Sequence, residues 1–201
     1  PTNVQDNSIL VEKDIGNRYW LTPETYSTVT QSLTDDTRTI YDSTRNRVGM
    51  KLETSSAALL GQTLYSVEFQ LDKTNSPTGT ATARIYDGSD VLKETSTNSF
   101  DVSTFTGSFV GYTFTFAGTH TLAENDRIVV FYDGGNATNT VGVARQRSDV
   151  YDSTNTIHTR YTASAWIDDS GDELTFILNY RTGGGWTMEP TYETDFSTSK
   201  G

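Results

Sequence analysis

The chain has no cysteine, and its 201 residues include only two histidines, four prolines and five lysines. Without cysteine there is no disulfide scaffold, thiolate zinc site, iron–sulfur cluster or cysteine nucleophile. His120 and His158 stand far apart in the sequence, so no multi-histidine metal centre or Ser-His-Asp triad is signalled. The GxSxG, HExxH, P-loop and GxGxxG patterns are missing as well. No run of 18 apolar residues is present, so no helix is expected to insert in a membrane. Positive charge is scarce: 15 Lys and Arg face 26 Asp and Glu, a net charge of −11. Such an excess repels phosphate and argues against nucleic acid or an anionic membrane as the main partner.

What the chain holds instead is 35 Thr, 19 Ser, 16 Gly and 11 Tyr. Thr and Tyr favour strands, while Gly, Asn, Asp and Ser favour turns. Period-two alternation recurs along the chain. Val48, Met50 and Leu52 alternate with polar or small residues, as do Tyr65, Val67, Phe69 and Leu71. Ala81, Ala83 and Ile85 do the same, as do Tyr112, Phe114 and Phe116. Alternation with one polar face predicts antiparallel sheets wet on one side. The run Ile128–Tyr132 is apolar on both faces and predicts a central, doubly covered strand. Turn signals separate these runs at 75–79, 87–90, 133–136 and 168–172. The expected fold is all-β: an antiparallel two-sheet β-sandwich, jelly-roll-like, with an appended N-terminal β-hairpin.

Three regions follow. Residues 1–44 read as an N-terminal hairpin and a polar linker, with one strand near Arg38–Tyr41. The hairpin strands flank the turn Lys13-Asp14-Ile15-Gly16. Residues 45–180 form the sandwich, and residues 181–201 a Gly-rich joint and a C-terminal tail. A lone hairpin is marginal in water. Tyr19, Trp20 and, in the tail, Trp186 are therefore expected to anchor the ends on the sandwich or on other copies of the chain. A chain opening at Pro1 is read as a mature product or an excised fragment.

The carboxylates Glu53, Glu68, Glu94, Glu124 and Glu173 could serve a glycosidase only if two of them stood roughly 5–10 Å apart. They read as surface groups, and the chain as a non-enzyme. Calcium takes six to eight oxygens, often from loops. The acidic loops Asp87/Asp90, Asp133/Asn136 and above all Asp168/Asp169/Asp172 are candidates for a structural Ca²⁺, although no cofactor is required. Glycan binding uses aromatic faces beside Arg, Gln and Asp side chains. The outward row Thr80, Thr82, Arg84, Tyr86 offers both kinds on one face. Arg145, Gln146 and Trp166 complete the candidate ligand-binding set. Asn136-Ala137-Thr138 is a glycosylation sequon placed in a turn.

The stretch LYSVEFQLDKTNSPTGTATARIYDG (64–88), followed by GYTFTFAGTHTLAENDRIVVFYDGG (111–135), resembles non-catalytic, carbohydrate-binding-like jelly-roll modules of microbial and viral surface proteins. DNSILVEKDIGNRYWL (6–21) is similar to a short hairpin of phage and archaeal-virus structural proteins. The resemblance implies an extracellular, cell-surface or virion-surface module that binds a glycan or a host surface. Its alternative is a structural subunit of a virion, fibre or filament, assembling through its terminal segments.

Overall fold

The structure is a computed structural model, and it describes residues 9–11, 18–21, 24–32, 34–42, 44–56, 58–147, 156–182 and 186–188. The first strands are β1 (Ile9–Val11), β2 (Arg18–Leu21), β3 (Thr25–Gln31), β4 (Asp36–Ile40) and β5 (Arg47–Leu52). They are followed by β6 (Thr63–Thr74), β7 (Thr80–Tyr86), β8 (Leu92–Thr95) and β9 (Phe100–Asp101), then a single 3-10 turn at Val102–Thr104. Next come β10 (Val110–Thr115), β11 (Arg127–Phe131), β12 (Thr140–Gln146) and β13 (Thr156–Thr162). The last are β14 (Ala165–Asp169), β15 (Glu173–Leu174), β16 (Phe176–Thr182) and β17 (Trp186–Met188). Among the described residues no helix is long and apolar enough to cross a membrane.

Two seven-stranded sheets form a sandwich. One runs β15-β12-β6-β16-β3, with β10 added on β6 and β4 on β12. The other runs β14-β13-β5-β11-β7-β8, with β9 added on β7. Every pairing with a described register is antiparallel. Alternation explains the packing. Val48, Met50 and Leu52 of β5, Ile128 and Val130 of β11, and Ala81, Ala83 and Ile85 of β7 are all buried. They face Leu64, Val67, Phe69, Leu71, Phe114, Val141, Val143, Phe176 and Leu178 of the other sheet in one core. Truncating a fully buried aromatic such as Phe69 to Ala in such a core costs about 3–5 kcal/mol. The strand order is compatible with a jelly roll.

The described residues divide into two compact units, one within Pro1–Thr25 and Thr182–Gly201, the other within Tyr26–Arg181. In the smaller unit β1 pairs with β2, and β17 pairs with the other edge of β2. The predicted hairpin is therefore present, and Trp186 lies on a third strand beside it. The turn at Lys13–Gly16 and the joint at Gly183–Gly185 lie outside the described residues.

Two local expectations are corrected. The polar stretch 23–44 holds two strands, β3 and β4, paired with β16 and β12. The period is masked in β3 because most of its residues are exposed, and in β4 because Asp36 and Arg38 face ionic partners at this end of the sandwich. The alternation in β6 also changes phase: Leu64 is fully buried while Tyr65 is 45% exposed. A bulge opposite Asn179/Tyr180 inserts one residue, and Tyr65 turns outward against Tyr26.

Candidate functional site

Residues that alternate with the core on β5, β7, β11, β13 and β14 share the outer face of one sheet. Arg84 and Tyr86 come from β7, Arg47 from β5, Arg127 and Phe131 from β11, Tyr161 from β13, and Trp166 from β14. Register aligns them: Phe131 opposes Thr82 and Arg47, Arg47 opposes Tyr161, and Tyr161 opposes Trp166. The Arg47 guanidinium sits 4.2 Å from the ring centres of both Tyr86 and Tyr161, and donates to Asp90 Oδ1 at 2.6 Å. Arg127 lies 4.8 Å over Trp166 and donates to Asp168 Oδ2 at 3.2 Å. Arg84 stacks on Phe131 at 3.4 Å and donates to the Tyr86 hydroxyl at 3.3 Å. Trp166 meets Tyr86 and Tyr161 edge-on. This layer buries Val129 completely on what would otherwise be a wet face.

Among the described residues, Trp166 Nε1, Arg47 Nε, Arg84 Nε and Thr82 Oγ1 of this layer are buried within it and have no hydrogen-bond partner, and Tyr86 and Arg127 are themselves buried. Asp168 closes one side, bound by the Thr159 hydroxyl at 2.6 Å and by Lys51 at 3.3 Å. Burial pushes its carboxyl upward, but Thr159, Arg127 and Lys51 outweigh that and hold it below the usual range.

The structure thus brings Arg84, Tyr86 and Trp166 together and separates Arg145 and Gln146 from them. Those two lie on β12 of the other sheet. Gln146 donates to Asp35 at 3.1 Å, and Arg145 binds Asp36 and Asp172. Sequence reasoning missed Arg47, Arg127, Phe131 and Tyr161. The available signal was parity, since each alternates with inward residues on its strand, but the order of the strands was not legible.

The acidic set is divided too. Asp168 and Asp169 are successive strand residues, so their side chains leave opposite faces. Asp168 joins the outer layer, while Asp169 points between the sheets. There Asp169 pairs with Arg160 and, at 3.7 Å, with Arg38, while Asp172 pairs with Arg145 and, at 3.9 Å, with Arg38. Asp36 is held well below the usual carboxylate range, chiefly by Arg147. Arg38 is pushed down to about 10 by burial and by Arg145 and Arg160. Fully buried His158 stands among these groups, with Nδ1 3.3 Å from Asp169. Burial and the three guanidiniums push its pKa down to about 3, so it is neutral at physiological pH.

Metal-binding atoms of His158, Asp169 and Asp172 lie within 4.8 Å of one another. They do not fit a Ca²⁺. Guanidiniums already occupy both carboxylates, and Arg38, Arg145 and Arg160 would oppose a cation. The other acidic loops act as turns: Asp87 accepts from the Ser89 and Val91 N–H groups, and Asn136 Oδ1 from Thr138 and Asn139. Within the exposed sequon, the Thr138 hydroxyl also donates to Asn136 Oδ1.

The carboxylates weighed as hydrolytic groups have separate partners. Glu53 pairs with Lys51, Glu124 accepts from Thr54, and Glu68 accepts from Thr113 and Gln70. Glu94 accepts three backbone N–H bonds from Gly118, Thr119 and His120. Glu173 is buried against Gln31 and Thr156. Tyr19 and Trp20 lie on β2, opposite Met188 and Thr187 of β17, and Trp186 opposes Leu21. Comparison with family models, curated proteins and solved structures finds no match to this chain.

Proposed function

We propose that the chain is a non-catalytic, extracellular or virion-surface binding module whose ligand is a glycan, held on the outer layer of Arg47, Arg84, Tyr86, Arg127, Tyr161 and Trp166. The supporting observation is the concentration of aromatic rings and arginines from five strands on one sheet face. Aromatic surface suits sugar C–H groups, and guanidinium N–H groups suit hydroxyls. Sheet strands rather than loops carry the layer, so it is pre-organised, which lowers the ordering cost of binding.

A glycan array followed by titration calorimetry tests this. Trp166→Ala and Arg84→Ala should each weaken binding of the retained glycan by about tenfold or more. Retention of no glycan, or affinity unchanged in both variants, overturns the proposal.

A second reading, assembly into a virion, fibre or filament, draws on the small unit. Segments near both ends of the sequence pair in one three-stranded sheet. Edge strands β1 and β17 leave backbone groups that a neighbouring copy could pair with.

A further inference from the structure

Three buried residues outside that layer share one carboxylate. Gln31 ends β3 in one sheet, and Thr156 opens β13 in the other. Between them lies Glu173 of β15. Their exposures are 2%, 4% and 1%. The Gln31 side-chain amide donates to Glu173 Oε2 at 2.8 Å, and the Thr156 hydroxyl donates to Glu173 Oε1 at 3.2 Å. A hydroxyl and a primary amide are therefore held on the two oxygens of one buried carboxylate.

We propose that this triad forms an intramolecular ester between Thr156 and Gln31. Glu173 takes the hydroxyl proton, and Thr156 Oγ1 attacks the Gln31 side-chain carbonyl carbon. Glu173 then returns that proton to the amide nitrogen, the C–N bond breaks and ammonia leaves. A C–O ester bond remains, and Glu173 is regenerated as a carboxylate. No oxidant, metal or co-reactant is consumed. One carboxylate can move the proton because its two oxygens already contact donor and recipient. Fixing the groups in the fold supplies the proximity that makes so weak a nucleophile competent. A surface pocket of about 240 Å³, lined in part by Gln31, Thr175 and Gln70, gives ammonia an exit. Loss of ammonia to bulk solution draws the exchange forward. The bond would tie the two sheets together in a chain that has no cysteine for the purpose.

Intact-mass spectrometry of the purified full chain, aged at neutral pH, decides the matter. The expected mass is below the sequence mass by one ammonia, with a protease digest yielding one peptide pair joined through Gln31 and Thr156. Hydroxylamine should release that pair. Thr156→Val and Glu173→Gln should each restore the full mass, while Thr156→Ser should keep the loss. A wild-type chain at full sequence mass overturns the proposal and leaves the triad as a hydrogen-bonded network. A mass loss that persists in Thr156→Val also overturns it, because ammonia then leaves from another site.

Discussion

His158 is a neutral imidazole enclosed by ions. Arg38 of β4, Arg145 of β12 and Arg160 of its own β13 face it, as do Asp169 of β14 and Asp172 just beyond it, while Asp168 acts only from the opposite face of the sheet. Its pKa lies at about 3 in the fold against 6.5 for the free group. Between those values the unfolded chain binds the extra proton, so stability rises with pH. It is complete above pH 6.5 and is lost progressively as pH falls toward 3. The loss reaches on the order of 3 kcal/mol by about pH 4. Asp36, whose pKa is depressed, loses its contribution only below its ordinary 3.8, so the two windows separate. Denaturant unfolding of wild type and His158→Leu at steps between about pH 7 and pH 4 should give a steep fall only for wild type. Parallel curves would assign the acid sensitivity elsewhere. None of this was legible in the sequence, where His158 was one polar residue on a strand. Its surroundings come from two sheets whose pairing depends on contacts far apart in the chain. Asp168 and Asp169 carry the complementary lesson. Their adjacency looked like a shared cation loop, yet strand parity alone assigns them to opposite faces.

At the scale of the element, the alternating runs and the apolar run Ile128–Tyr132 were readable. β11 lies between β5 and β7 as the central strand expected. Less readable was why β5 carries Gly49 opposite Val129. A Cβ at Gly49 would stand 2.1 Å from the Ile128 carbonyl oxygen and 2.5 Å from Val129 Cα. Those contacts are backbone and cannot swing aside, so β5 and β11 would have to part beneath the outer aromatic layer. Gly49→Ala should therefore destabilise the fold by about 1–3 kcal/mol, the usual cost of overpacking. Gly171→Ala, with nothing within 4 Å and ordinary φ, is the control and should shift the unfolding midpoint little. Equal midpoints for the two variants would show that the strands yield without cost. Bulges escape a reading based on period for a related reason. The extra residue in β6 shows only as a phase change at Ser66/Val67, both buried, and it accompanies the register shift against the partner strand β16.

For the whole molecule, the two compact units differ in what can hold them. The sandwich has a continuous core drawn from both sheets. The small unit has three strands of three or four residues. Strands so short and few are marginally stable in water unless something covers or extends them. Native-state hydrogen exchange separates the cases, because local opening follows local stability. In dilute protein, amides of β5, β7 and β11 should exchange slowest, and those of β1, β2 and β17 should lose protection at much lower denaturant. If copies assemble through the terminal strands, protection of β1, β2 and β17 should rise with protein concentration while that of β11 stays constant, since association stabilises only what it covers. Concentration-independent protection at those three strands would remove the argument for assembly through them.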